Sequence, residues 1–374
     1  MMRRAQPDDL SREVYCILGM PIDAIEMGAV VHRIEAAAGT GAAFVISTPN
    51  LNFLVNSQID AEFRETLLLS DLCPTDGMPI VWMARLMGIP IKGRIAGSDI
   101  FEALKARRPT QRLKIFVFGG AEGVAAAACR ALNVESSGLA CVGSMCPGFG
   151  TIDEMSRDDI IEIINSSHAD FLVAALGAKK GQLWLQRNHH RLRIPIRAHL
   201  GATINFEAGT VKRAPSMLRK LGLEWLWRIK EEPYLWRRYW DDGIVLVDLL
   251  LTRVLPLVIW TRWHRLRGAG QDLVIQQIQD DESVTLSFFG SATARHVNKA
   301  ISCFRNALDT RKKITVNLSD TRLVDARFLG LLLVLRKRLK EAGKRLELVG
   351  VPSRLEKLFH FNGAGFLLSG DQGA

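Results

Sequence analysis

The first two hundred residues alternate short apolar runs with stretches of helical periodicity. AAFVIST (42 to 48) reads as a strand running into a polar turn at Pro49-Asn50, and residues 51 to 70 then carry a helical apolar period. KIFVFGG (114 to 120) is a second strand, followed by the alanine-rich helical run AEGVAAAACRAL. ADFLVAALG (169 to 177) repeats the arrangement, ending on Gly177 before a helix that begins near Lys180. Strand, small-residue turn and helix in repetition predict an α/β domain over residues 1–205, with a mainly parallel, Rossmann-like sheet. Ligands of such sheets bind where the strands end, at these turns.

Past residue 205 the alternation stops, and residues 206–265 read as a helical appendage. It contains IVLVDLLLTRVLPLVIW (244 to 260), an apolar run of 17 residues broken by Asp248, Arg253 and Pro256. RWHRLRGAGQD (262 to 272) reads as a linker. A new pattern then fills 272–374: LVIQQI and SVTLSFFG as strands, a helix across 294 to 309, and KITVNLSD (313 to 320) as a strand. A helix from about 326 to 342, the strand RLELVG (345 to 350) and a last helix near 352 to 360 complete a second α/β module of ordinary domain size.

Composition is globular, with 48% hydrophobic and 24% charged residues, and the net charge of +10 calls for an anionic partner. Its distribution narrows the choice. Eight Lys/Arg face three acids between Val211 and Arg238, and six of the eight tryptophans lie between Trp225 and Trp263. Basic residues mixed with Trp beside an apolar run suit an anionic membrane surface. The run is short and interrupted for a span, which favours lying in the interface; a helix packed in a protein core is the plainer alternative. No nucleic-acid-binding signature accompanies the basic residues, so nucleic acid is not an expected partner. The six cysteines lack a CxxC pair and read as reduced thiols, neither a disulfide frame nor a metal site. The pair His189-His190 has no third residue spaced to complete a metal site and reads as surface helix. MMRRAQPDDLSREVYC lacks an apolar segment after its basic start, so no signal peptide is expected.

CPTDGMPIVW (73 to 82) sets Asp76 between a proline turn and an apolar run. Taken alone, Pro-Thr-Asp-Gly is good turn chemistry. Thr48 and Asn50 are good helix caps, Arg94 could be a solvated strand-end cation, and Asp99 could serve a helix N-terminus. Gly119 and Gly120 allow close backbone approach after a strand, to a phosphate or a uridine.

These pieces occur in a specific order. STPN (47 to 50), TDGMPIVWMARLMGIPIKGRIAGSDIF (75 to 101), VFGGAEGVAAAA (117 to 128), AALGAKKGQLWL (174 to 185) and RAPSMLRKLGLEWLWRIKEEPYLWRRY (213 to 239) follow one another as in the WecG/TagA/CpsF glycosyltransferases. The chain resembles that family over roughly residues 15 to 240. The resemblance implies an inverting transfer, independent of metal and of any cofactor, from a UDP-sugar such as UDP-N-acetylmannosamine. The implied acceptor is a sugar on undecaprenyl pyrophosphate, at the cytoplasmic face of the inner membrane, in surface polysaccharide or exopolysaccharide synthesis. It makes Asp76 the base on the acceptor hydroxyl, with Thr48 beside it as the second catalytic residue. Asn50, Asp99, Gly119 and Gly120 would line the same pocket, and Arg94 would fork a pyrophosphate. Arg213, Arg228, Arg237 and Arg238 fall in the family's membrane-meeting appendage. One departure stands out: the family reads Leu-Gly-x-Pro-x-Gln-Glu where this chain reads LGAKKGQ, with Lys179 for the proline, Gly181 for the glutamine and Gln182 for the glutamate. That leaves the donor sugar open.

NLSDTRLVDARFLGLLLVLRKRLKEAGKRLELVGV (317 to 351) resembles a STAS domain, with Ala326 at the position of the serine that members phosphorylate. Without a hydroxyl there is no phosphoryl switch there. The expectation is a constitutive docking surface for a protein partner or a binder of something small, removable with transfer in vitro left largely intact. The alternative reading of the whole chain is a weakly active scaffold that works through this module.

Overall fold

The computed structural model describes residues 8–266 and 272–369; residues 267–271 of the expected linker lie outside them. Strands β1 (Val14–Ile17) and β2 (Met20–Asp23) form an antiparallel hairpin. It turns at Leu18-Gly19, both at positive φ (48° and 86°), as tight hairpins prefer. Five further strands build the main sheet: β3 (Phe44–Ile46), β4 (Leu113–Gly119), β5 (Leu139–Met145), β6 (Phe171–Ala175) and β7 (Ile196–His199). Their order is β3-β7-β6-β4-β5 and every pairing is parallel, as the alternating pattern implies.

β4 and β6 each feed two cores. Ile115, Val117, Phe171 and Val173 are buried on one face, whereas Phe116, Phe118, Leu172 and Ala174 pack around Trp184 on the other. That is why these strands read as unbroken apolar runs. From β4 the chain goes to β5 on one side and then to β6 on the other, so the switch point lies between β4 and β6, where α/β sheets bind ligands.

The C-terminal unit has its own sheet: β8 (Val274–Gln279), β9 (Ser283–Ala292), β10 (Lys313–Asn317), β11 (Thr321–Val324) and β12 (Glu347–Val349). The order is β11-β9-β10-β12, all parallel, with β8 antiparallel on β9. Its long helix, Ala326–Glu341, begins at Asp325, whose carboxylate accepts from the N–H groups of Arg327 and Phe328.

That helix is itself packed against the rest of the chain, so a docking surface on this unit would lie on its other faces. Gly330 lies against β1, where an added Cβ would overlap Val14 O and sit 2.6 Å from its carbonyl carbon. Arg327 donates to Val14 O and Arg12 O, both at 3.0 Å, and Arg336 pairs with Glu65 at 3.0 Å. Lys337 is 1% exposed; its ammonium bonds Asp9 at 2.9 Å and Asp71, and lies 3.7 Å from Glu341. Leu10, Val14, Cys16 and Leu68 join the C-terminal unit's own apolar core. The partner of this helix is therefore the chain's N-terminal hairpin.

Between the two units runs the appendage, with helices Ser216–Leu221 and Glu224–Glu231 leading into one continuous helix, Leu235–Trp263. A π-turn interrupts it at Leu250–Val254, where Leu255 N donates to Leu250 O. Pro256 follows at once; lacking an N–H and crowding the preceding turn, a proline is commonly absorbed by such a local change of pitch.

Two expectations are corrected. Cys129 and Cys141 form a disulfide, with Cα atoms 5.1 Å apart. One sits on the helix Val124–Glu135 and the other on the β5 strand beneath it, a proximity made by the crossover connection and invisible in the spacing. His189 and His190 fall on the turn after the helix Ala178–Arg187, and His189 Nδ1 lies 3.2 Å from Arg197.

Candidate active site

Thr48 and Asp76 meet at the carboxyl edge of the sheet. Asp76 is tied through its backbone, its N–H donating to Pro49 O at 2.9 Å, on the turn after β3. Gly77, at φ 96°, then redirects the chain into the helix Met78–Leu86. Thr48 is buried, and its Oγ1 faces Gly97, 3.5 Å from where a Cβ there would lie. The backbone N–H of Gly97 lies near the Asp76 carboxylate and favours its charged form.

Burial raises the Asp76 pKa to about 7, and the charges of Glu224 and Asp99 push the same way. Arg94 and the Gly97 N–H oppose them. A carboxyl poised near neutrality can accept a proton from a hydroxyl and return it, as general-base catalysis requires.

Arg94 is close enough to act on Asp76 but is already engaged. Its guanidinium donates to Asp99 at 3.1 Å and to Glu224. Asp99 also receives Arg213 and Arg219, the latter at 3.4 Å, and caps Ala96 N at 3.2 Å. Arg213 reaches Glu102 and Ser98 Oγ as well. The three arginines and three carboxylates join the helix Gly97–Ala106 to the appendage and close one side of the site. Glu224 and Arg219 lie within the last motif block yet carried no separate signal, since ordinary helix charges look the same in sequence.

Asn50 caps the helix Leu51–Ile59, accepting from Phe53 N at 3.1 Å, and its Cβ lies beside Gly77. Gly119 and Gly120 have φ of 107° and 84°. A Cβ on Gly119 would lie 2.6 Å from Ala175 O, and Gly120 N already donates to that oxygen at 2.8 Å. The pair stitches β4 to β6 at the switch point, and the Gly120 N–H is spent on that bond. Gln182 is buried, its Oε1 accepting from Ser47 Oγ at 3.1 Å, while its Nε2 has no hydrogen-bond partner among the described residues. Arg228 pairs with Glu232 at 2.6 Å. Arg237 and Arg238 lie exposed on the long helix, over the rings of Trp236 and Tyr239. The structure thus gathers Thr48, Asn50, Asp76, Arg94, Asp99 and Arg213 and leaves Arg237 and Arg238 on the outer surface.

Residues 15–259 match the glycosyl transferase WecG/TagA/CpsF family. The chain belongs to that family. Two WecG/TagA/CpsF-type relatives, each an N-acetylglucosaminyldiphosphoundecaprenol N-acetyl-beta-D-mannosaminyltransferase, are similar to it. The Bacillus spizizenii enzyme is 26% identical over 200 residues, 53% of this chain and 74% of that protein. The Bacillus subtilis enzyme is 27% identical over 207 residues, 55% of this chain and 77% of that protein. Residues 275–369 match the Mlab STAS domain. The solved structure of the Bacillus cell fate determinant SpoIIAA in its phosphorylated form is 21% identical, covering 25% of this chain and 88% of that one, with a TM-score of 0.23. As a WecG/TagA/CpsF member with a STAS domain, this chain is a glycosyltransferase.

Proposed function

We propose that this chain moves N-acetylmannosamine or a related hexose, with inversion, from a UDP-sugar to an acceptor sugar on undecaprenyl pyrophosphate. The observation that carries the reading is Asp76, with its pKa raised to about 7, beside Thr48 at the sheet's carboxyl edge. Asp76 takes the acceptor hydroxyl's proton as that oxygen attacks the anomeric carbon, and UDP departs from the opposite face. Arg94, Arg213 and Arg219 supply positive charge beside the base, where a pyrophosphate can compete for them with Asp99 and Glu224. The relatives' names support the lipid-linked acceptor.

The same reading places the enzyme on the cytoplasmic face of the inner membrane. The helix Leu235–Trp263 is long and apolar enough to cross a bilayer. One side of it, however, is buried in protein, through Leu235, Leu249, Val254, Leu257 and Val258. On the other side Trp236, Trp240, Ile244, Val247, Leu251, Leu255 and Ile259 form an exposed stripe at three- and four-residue spacing. Asp241 and Asp248 are also exposed, and carboxylates are costly in the hydrocarbon core. A helix with one protein face, one apolar face and flanking Arg and Trp lies in the interface. With Trp225 and Tyr239, the upper part of the stripe lines an open apolar groove of about 530 Å³.

The scaffold reading rests on the departure at Gly181, and Asp76, Thr48 and Arg94 in one site weigh against it. Full-length enzyme incubated with UDP-N-acetylmannosamine, UDP-N-acetylglucosamine and UDP-glucose, on a lipid-linked acceptor in vesicles, tests the assignment. Transfer from none of them sinks it.

A further inference from the structure

The proposed function leaves open which side chain reads the donor sugar, and an inference resting on that reading follows from a pair of glycines. Gly181 stands where the family pattern has glutamine. A Cβ there would collide with Cδ2 of His199 and lie 2.9 Å from its Cγ. The opposite wall is Gly201, whose Cβ would come 3.2 Å from His199 Nε2. Neither glycine is among those with positive φ, so backbone conformation does not demand glycine at either place. Space does. Two helix-opening segments, Ala178–Arg187 and Gly201–Glu207, are cut back to glycine so that one imidazole fits between them.

That imidazole carries a buried Nε2 with no hydrogen-bond partner among the described residues. Buried polar atoms are nearly always paired, and the exceptions concentrate where a ligand completes the bonding. Burial also lowers the ring's pKa to about 4, which keeps it neutral and free of a desolvated charge.

Sheet order then says what the atom meets. His199 ends β7, which lies between β3 and β6. The turn after β3 brings Thr48 and, through Pro49 O, holds the segment of Asp76; the ends of β6 and β4 bring Ala175, Gly119 and the switch point. A sugar in transfer spans the gap between the base and the departing UDP, and β7 ends between the strand that carries the base's turn and the switch point. We propose that His199 is a specificity-determining residue, hydrogen-bonding a hydroxyl or acetamido group of the donor sugar through Nε2 in place of the side chain absent at position 181.

The test is calorimetric titration of the full-length protein with UDP and with UDP-N-acetylmannosamine, UDP-N-acetylglucosamine and UDP-glucose. His199→Ala is expected to weaken the preferred UDP-sugar roughly tenfold, the usual cost of leaving a buried partner unpaired, while UDP itself changes less than twofold. His199→Gln, which keeps a side-chain N–H, should recover part of the loss. The double variant Gly181→Gln/His199→Gly moves the polar group to the other wall and should reorder the three sugars. Equal weakening of UDP and UDP-sugar, or none, overturns the assignment of His199 while leaving the enzyme's function in place. If His199→Ala does not fold, the ratio of UDP-sugar to UDP affinity in His199→Gln decides: a changed ratio supports the role and an unchanged one ends it. A wild-type protein that binds neither UDP nor any of the sugars overturns the functional reading itself.

Discussion

At the scale of single residues, Asp76 joins function to stability through one shift. Its pKa is raised to about 7, so the base becomes competent only as pH climbs through that value. The pH profile of kcat/KM should show a rising limb near pH 7, and Asp76→Asn should lower turnover by about 10²-fold or more and abolish the limb. Near-normal turnover in that variant would remove Asp76 from the mechanism. Stability runs the other way. The folded chain holds this proton over a range where the unfolded chain has released it. Stability therefore declines as pH rises from the ordinary carboxylate range to about 7 and levels off beyond. Asp76→Asn, with no charge to bury, should melt higher than wild type at pH 8, and a lower Tm would contradict the cause given for the shift.

At the scale of elements, the helix Leu235–Trp263 carries the membrane proposal and the helix Ala326–Glu341 carries the seam. Val247→Glu with Leu251→Glu places two charges on the exposed stripe, away from buried Leu249 and Val254. Co-sedimentation with anionic vesicles should fall sharply while Tm stays near wild type. In wild type, added salt should weaken only part of the binding, because it screens Arg237 and Arg238 but not the apolar stripe. Vesicle binding unchanged by the two glutamates would place the membrane contact elsewhere. Along the seam, Gly330→Ala puts a methyl group into Val14 O, and overpacking of that kind costs about 1–3 kcal/mol. Urea denaturation measures it, and a neutral result would mean the helix can back away from β1.

For the whole molecule, the consequence is that the two units share one interior. A chain ending at residue 266 would lose the guanidinium of Arg327 from β1 and the ammonium of Lys337 from Asp9 and Asp71. It would also expose Leu10, Val14, Cys16 and Leu257. The STAS domain therefore braces the hairpin and the helix Leu235–Trp263, and removing it should lower Tm and transfer together. That outcome differs from the removable module expected from the sequence, and the truncated chain decides between them. Lys337→Met isolates the electrostatic part: it leaves buried carboxylates without their cation, at a cost of about 3–5 kcal/mol. Full activity and an unchanged Tm in the truncated chain would restore the separable picture.

Local pattern determined much of this protein. β4 and β6 were legible because both of their faces are buried, which leaves runs such as KIFVFGG without polar alternation. Most C-terminal strands and helices were legible too, β9 through alternation with one buried face, whereas the short β11 was not read; Asp76 and Thr48 stood out through ordered motifs at strand ends. β5 was harder to see, since it lies on the sheet edge with mixed burial, and β7 has only four residues. The fold alone decided that Cys129 meets Cys141, that Arg94 is held by Asp99 and Glu224, and that Lys337 is buried. It also decided that His199 fills the space beside Gly181. Periodicity reports neighbours a turn or a pleat away, whereas each of these depends on where a separate segment comes to rest. Arg327 and Val14 are 313 residues apart, and no local pattern encodes that meeting.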